Sequence, residues 1–415
     1  MTRSNERSAR QALSSGYEPL IVLPPEVDGA VSVGMNAYQR ATRRTDRMDP
    51  NGFDTPILGL FGEVGSLLSA LKKKQRDQAA FTKYDAAIVE ELGDVLWYFT
   101  NIASRASLDL SILAQRTFRE VGDWDEVESH EFGTFDDLES QRDSKITPAE
   151  FGTRLIDLAG RVGDLVNDFG AGRFKTNRDK LSAHLVDIFR ALVAAAEAAE
   201  VSLGDAARWN MRKIFSRWPI DERYPPPIDS TMPKNERLPR RFTIFFEEHE
   251  VDGKVYVLQK RNGVIIGDRL TDNKTEKDDY RFHDVFHMAY AVHLGWSPVL
   301  RALFRVKRKS KPDIDENQDG ARAVLIEEGI STFIFGRGLN QRLFEGLDHV
   351  DYDLLKSIQE FVRGFEVERC ALWQWEKAIL DGFRVFRDVK KRRHGYVAAD
   401  LDAHTIAFRE GQDED

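Results

Sequence analysis

Residues 58–73 read LGLFGEVGSLLSALKK and residues 90–103 read EELGDVLWYFTNIA. In both stretches the apolar residues recur at three- and four-residue steps, the period of an amphipathic helix. The first run extends from Ile57 to Lys74 and the second from Asp85 to Ala106. Glu91 and Asp94 are three apart and share a helix face, and Glu90, four from Asp94, flanks it. If the two helices pack antiparallel, Glu63 of the first meets the Glu91/Asp94 pair at one level. A solvated acidic face is the bland alternative. Against it, Glu90 to Asp94 lies between AAIV and VLWYF, which argues that this helix is buried. Buried carboxylates are costly unless neutralised. A hard divalent cation with oxygen ligands does this, Mg2+ beside substrate phosphates being the usual case and Mn2+ the alternative.

Outward from this pair, helical periodicity dominates residues 31 to 218. Pro50 and Gly52 separate a first helix from the next, Pro56 suits a first helical turn, and Leu110 to Val121 forms a third long run. Glu126 to Lys145 is polar and reads as a linker, and Pro148 opens a second helical region. That region repeats the first. GLFGEVGSLLSAL aligns with DLAGRVGDLVNDF, ELGDVL with HLVDIF and LDLSILAQ with VSLGDAAR, the offset falling from 98 to 93. Chance alignment of amphipathic helices is the competing explanation, but the signals keep their order. A duplicated helix set packs as an intramolecular pseudo-dimer, a route to a helical bundle. The expected organisation is a leader over 1–30, poorly ordered or extended, then a helical domain over 31–219 with repeats at about 31–122 and 148–219. A stiff linker over 220–239 follows, where Pro225, Pro226, Pro227, Pro233 and Pro239 crowd, and then a domain over 240–410.

The pieces YQRAT (38–42), LGLFGEVGSLLSALKK, EELGDVLWYFTNIA and NMRKIFSRWP (210–219) together resemble the MazG-like nucleoside triphosphate pyrophosphohydrolases, from about Tyr38 to Pro219. The signature of that family is E-x-x-E, a spacer, then E-x-x-D. Glu63, Glu91 and Asp94 match three of its four positions as metal ligands, and Ser66 stands at the fourth. Asp164 holds the corresponding position of the second repeat and is a candidate to supply the missing carboxylate. Arg161 replaces the glutamate there, so the second copy has no metal site of its own. Asn210, Lys213 and Arg217 match the family's Asn-x-x-Lys-x-x-x-Arg run. An amide and two cations on one helix face suit a triphosphate tail, whereas Lys72, Lys73 and Lys74 read as a solvated face. The resemblance implies hydrolysis of a nucleoside triphosphate by in-line attack of a metal-activated water on the α-phosphorus, with Glu63 or Glu90 taking the proton. The alternative from another class is a nucleotide sensor with weak or no turnover that controls the C-terminal domain.

Beyond residue 239 the period changes. RFTIFFEEHEVDGKVYVLQKRNGVIIGD (241–268) alternates and carries Asp252-Gly253 and Asn262-Gly263, both hairpin signals, so three short antiparallel strands are expected. Helical patterns resume from about Asp279 to Val389. His283, Asp284 and His287 fall on one helix face at a metal-ligand spacing. Glu327 and Glu328 repeat the logic of Glu90 and Glu91, carboxylates inside an apolar helix. These five residues are either a second, diverged metal site or a polar network in a structural or dimerising domain. The resemblance here is to a C-terminal domain attached to MazG-like proteins. Lys307, Arg308 and Lys309 read as a solvated basic loop. DIDENQD lacks the glycine and closing glutamate of a calcium-binding EF-hand, and Trp373, Trp375 and Phe383 to Phe386 read as core.

The bulk numbers set the frame. The chain has 415 residues, 41% hydrophobic and 31% charged, an ordinary globular balance sufficient for two or three compact units. A net charge of -9 argues against stable nucleic-acid binding. The single cysteine, Cys370, suits a reducing cytoplasm, and no apolar run is long enough for a membrane span. The expected class is mainly α, an all-α bundle followed by an α+β domain with a short β-meander. A homodimer is left open.

Overall fold

The computed structural model describes residues 20–29, 32–118, 133–139, 146–174 and 178–411. The expected linker over 126–145 lies outside them except for 133–139. The chain divides into two compact units, with the main boundary between Glu222 and Arg223. The fold is mainly helical with one small antiparallel sheet.

In the N-terminal unit the helices are α1 (Met35–Thr45), α2 (Asp54–Asp77), α3 (Tyr84–Arg105), α4 (Leu110–Phe118), α5 (Phe135–Glu139), α6 (Phe151–Gly170), α7 (Arg178–Ala198) and α8 (Leu203–Arg217). Pro56 lies in the first turn of α2, where its missing N–H has no helical partner to lose. Thr147 and Glu150 form a reciprocal capping box ahead of α6. Helix α2 packs on α3 and α6 on α7, and the two pairs join through α2 and α6. Leu60, Val64 and Leu67 of α2 are buried, and so are their aligned counterparts Leu158, Val162 and Leu165 of α6. The third helix of each aligned copy lies on the other copy: α4 packs on α7, and α8 packs on α3. This exchange brings residues beyond 200 against the acidic face of α3. Part of the expected leader is built in, since Leu23 and Val27 are buried in this core. Residues 1–19 and 30 lie outside the described residues.

The C-terminal unit carries β1 (Arg241–Val251), β2 (Lys254–Arg261), β3 (Val264–Leu270), β4 (His394–Asp400) and β5 (Thr405–Arg409), in sheet order β3-β2-β1-β4-β5. Asp252 and Gly253 turn the first hairpin, and Asn262 and Gly263 the second. All four have positive φ, the backbone that two-residue hairpin loops require. Between the strands run α9 (Asp284–Leu294), α10 (Pro298–Leu303), α11 (Pro312–Asn317), α12 (Ala321–Asn340), α13 (Tyr352–Phe361) and α14 (Leu372–Arg392). Every residue of α9 is buried; it packs against α14, β4 and β5. Trp373, Trp375, Phe383 and Phe386 are buried, as expected for core.

Two stretches of this unit differ from the sequence reading. The proline-rich segment is anchored by buried Asp229, which accepts from Arg301 at 2.8 Å, Arg240 at 2.6 Å and the Leu238 N–H at 2.8 Å. Arg308 is not in a solvated loop: it is 1% exposed, held by Asp319 at 2.7 Å and by Glu366. A buried guanidinium is tolerable because two carboxylates satisfy its fork.

Candidate active site

Helix α3 carries Glu90, Glu91 and Asp94, and α2 brings Glu63 opposite. Oxygens of Glu63, Glu91 and Asp94 all lie within 4.8 Å of one another. Two glycines make this closeness feasible. A Cβ at Gly59 would sit 2.2 Å from the Tyr98 ring, and one at Gly93 would sit 2.8 Å from the Ala206 carbonyl oxygen and 2.9 Å from Asn210 Cβ. Gly59 therefore lets α2 close on α3, and Gly93 lets α8 do so.

The second aligned copy completes the cluster through α8. Asn210 Nδ2 donates to Asp94 Oδ1 at 2.8 Å. Lys213 Nζ donates to Asp94 Oδ2 and lies 3.5 Å from Glu90 Oε1. The Tyr38 hydroxyl of α1 donates to Asn210 Oδ1 at 3.1 Å. The line Tyr38, Asn210, Asp94 thus fixes both the amide orientation and the carboxylate rotamer. Tyr38 carried no site signal in the sequence, because a tyrosine on an amphipathic helix is usually core. Arg217 lies one turn beyond Lys213 with its guanidinium 4.9 Å from the Trp218 ring. Ser66 is half-buried on α2, and Asp164 is exposed and outside the cluster.

The electrostatics follow from the crowding. Burial, then the charges of Glu63, Asp94 and Glu90, pushes Glu91 up to about 7. Burial and then Asp94 raise Glu63. Asp94 is raised by burial in spite of Lys213. For Lys213, burial favours the neutral amine, but Asp94 and Glu90 outweigh it and hold the ammonium charged. Three carboxylates above their ordinary range in one notch make a site that gains from a further cation. All the donors are oxygens, which suits a hard divalent ion.

The aligned positions in the other copy show a different solution. Arg161 stands for Glu63, His184 for Glu91 and Asp187 for Asp94. Arg161 lies 3.9 Å from Asp187, which Arg190 also meets at 3.0 Å. His184 turns to Asp168 at 2.9 Å. There the aspartate is paired with protein cations, and among the described residues no carboxylate cluster stands at these positions.

In the C-terminal unit, His283, Asp284 and His287 also bring ligand atoms within 4.8 Å of one another, all three buried. Glu328 of α12 lies across from them, 3.4 Å from His283 Nε2 and 3.5 Å from His287 Nε2. Glu327 is fully buried and turned away, accepting from His287 Nδ1 at 2.8 Å, Ser297 Oγ at 2.7 Å and the Val299 N–H at 2.8 Å. The two glutamates, adjacent in sequence, therefore have different tasks.

Over 72 residues the chain is 31% identical to the Gene 37 protein of Mycobacterium phage L5, a match covering 17% of this chain and 63% of that relative's length. No solved structure matches the chain. Residues 223–412, which are the C-terminal unit almost to its end, match the family described as the MazG C-terminal domain.

Proposed function

We propose that the N-terminal unit hydrolyses nucleoside triphosphates, ribo or deoxy, to the monophosphate and pyrophosphate with Mg2+, Mn2+ being the substitute ion. The observation that carries this reading is the notch of Glu63, Glu91 and Asp94, with oxygens within 4.8 Å of one another and Asp94 pinned by Asn210 and Lys213. The MazG C-terminal domain in the same chain supports it, as does the resemblance of residues 38–219 to MazG-like pyrophosphohydrolases.

Glu63, Glu91 and Asp94 would hold the ion. When bound, it neutralises the phosphoryl oxygens and makes a water acidic enough to attack. Glu90 is engaged by Lys213, which leaves Glu63, half-buried on the facing helix, as the acceptor of the water's proton. The water oxygen forms a bond to the α-phosphorus, the bond from that phosphorus to the bridging oxygen breaks, and pyrophosphate leaves with the electron pair. Lys213 keeps Asp94 in one rotamer, and Arg217, one turn on, would meet the phosphate tail.

The test is pyrophosphate release across a nucleotide panel with Mg2+ and with EDTA. The expected outcome is Mg2+-dependent release, reduced at least ~100-fold in Glu91→Gln, of the order ascribed to charge stabilisation at a phosphoryl centre. Two observations favour a second reading, a nucleotide sensor: Lys213 already pairs with Asp94, and Ser66 stands where a fourth carboxylate belongs. Tight nucleotide binding with no release by the wild type would select the sensor and overturn the hydrolase.

A further inference from the structure

We infer that the C-terminal unit holds a second metal centre, distinct in chemistry from the first: a divalent transition ion bound by His283 Nε2, His287 Nε2, Asp284 Oδ1 and Glu328. This does not depend on the N-terminal unit being a hydrolase.

The tautomers are set before any ion arrives. His283 Nδ1 lies 2.9 Å from the Tyr280 carbonyl oxygen, which can only accept, so Nδ1 carries the proton and Nε2 is left for a ligand. His287 Nδ1 is committed to Glu327 at 2.8 Å. The Gln259 amide donates to Asp284 Oδ2, which turns Oδ1 toward the imidazoles, 3.2 Å from His283 Nε2 and 4.0 Å from His287 Nε2. A carbonyl, carboxylate or amide behind these three ligands is the arrangement that orients metal-binding histidines and carboxylates.

A second observation points to an absent ligand. His287 is 0% exposed, and among the described residues its Nε2 finds no well-formed hydrogen bond. It faces only the carboxylates of Asp284 and Glu328, at 4.0 and 3.5 Å. A buried imidazole nitrogen held only at ion-pair distance from two carboxylates is poorly satisfied, and a metal ion between these groups would bind all three. The same ion would account for three buried ionisable ligands converging from the start of α9, with Glu328 reaching over from α12.

The donor set selects the ion. Two imidazoles with carboxylate oxygens suit Zn2+, Mn2+, Fe2+ or Ni2+ and disfavour Mg2+, which takes oxygen ligands. The centre is not sealed. His283, Asp284 and Glu328 line one wall of a cavity of about 730 Å3, whose other walls include Asp272, Lys274 and Thr332. The Tyr280 ring stacks on His283 at 4.2 Å and its hydroxyl pairs with Thr332 at 2.9 Å, which holds the rim. Four protein ligands would complete a tetrahedral ion, but an ion here that expands to five or six ligands has room on the cavity side for an exogenous oxygen. The cavity has the volume of a small-molecule site.

The test uses the full chain dialysed against Zn2+ in excess Mg2+, so that Mg2+ competes at the N-terminal carboxylates. Metal content is read by mass spectrometry, and the ligand field by the visible spectrum of the Co2+-loaded protein. About one retained equivalent is expected, kept in Glu91→Gln and lost in His287→Ala, with a Co2+ spectrum that changes in His283→Gln. Because His287 is a core residue, Glu328→Gln on the half-exposed rim and Glu327→Gln behind His287 are the companion variants. Each should weaken Zn2+ binding roughly 10–100-fold. No Zn2+ retained by the wild type overturns the proposal. So does retention that is unchanged in folded His283→Gln and Glu328→Gln.

Discussion

At the scale of single residues, Lys213 carries the most consequence. Its ammonium is the protein's own counterion for Asp94 and Glu90, with side chains 16%, 14% and 11% exposed. Breaking such a pair leaves carboxylates in a poorly solvated place with nothing opposite them. Lys213→Met should therefore cost about 3 kcal/mol of stability in EDTA. It should also make Mg2+ a stronger stabiliser than in the wild type, because the ion then answers charge that lysine no longer covers. Calorimetry with and without Mg2+ reads both effects, and equal Mg2+ shifts in the two proteins would mean that lysine and ion do not share those carboxylates. Cys370 shows the opposite case, a group made inert by its surroundings. It is buried against the Leu294 carbonyl, and burial pushes its thiol up to about 12. At pH 8 the thiolate fraction is negligible. Alkylation of the native protein should be absent over hours and stoichiometric in denaturant; prompt reaction of the native chain would show that its environment opens.

At the scale of elements, the approach of α8 to α3 decides whether there is a site at all. Gly93→Ala places a methyl 2.8 Å from the Ala206 carbonyl oxygen, a backbone atom that cannot swing aside. The variant should lose about 1–3 kcal/mol, as overpacked cores do, with α8 and Asn210 displaced from Asp94. Gly160→Ala is the control: it is exposed on α6 with no atom within 4 Å, and it should gain up to ~1 kcal/mol from helix propensity. Denaturant midpoints of the two variants should move in opposite directions; movement in the same direction would discount the close contact. Helix faces of this kind were readable in the sequence because period and burial share a cause. The sequence places α3 to within one residue at each end and α2 to within three, and the level at which Glu63 meets Glu91 and Asp94 followed once the two helices were taken to pack antiparallel. The first three strands followed from alternation and two Asx-Gly turns. Strands β4 and β5 did not: HGYVAAD has alanines where a strand signal needs β-branched or aromatic side chains, and β5 is only five residues long. Contacts between distant elements were equally silent. Asn210 and Asp94 are 116 residues apart, and Arg308 sits in a run that reads as solvated because its partners Asp319 and Glu366 lie 11 and 58 residues on. The different tasks of Glu327 and Glu328 depend on Ser297 and on the N–H of Val299, neither of which has a distinctive sequence pattern.

At the scale of the molecule, two hydrophobic cores have no residue in common: one runs from Leu23 to Phe215, the other from Leu238 to Ile406. Each is large enough to support its own cooperative transition. Each unit also has its own candidate ion site with its own chemistry, oxygens alone in the first and imidazole with oxygen in the second. A ligand stabilises only what it binds in the folded state, by an amount that grows with the logarithm of its concentration over Kd. These two facts together predict how the whole chain melts. In EDTA, calorimetry should resolve two transitions. Millimolar Mg2+ should raise the one belonging to the N-terminal unit, and micromolar Zn2+ the other. Glu91→Gln should abolish the first shift and leave the second, and His283→Gln should do the reverse. A single transition moved by both ions would mean that the units unfold together. Two transitions both moved by Zn2+ in His283→Gln would place the transition ion elsewhere. The crossed pattern is demanding because each variant serves as the folding control for the other unit.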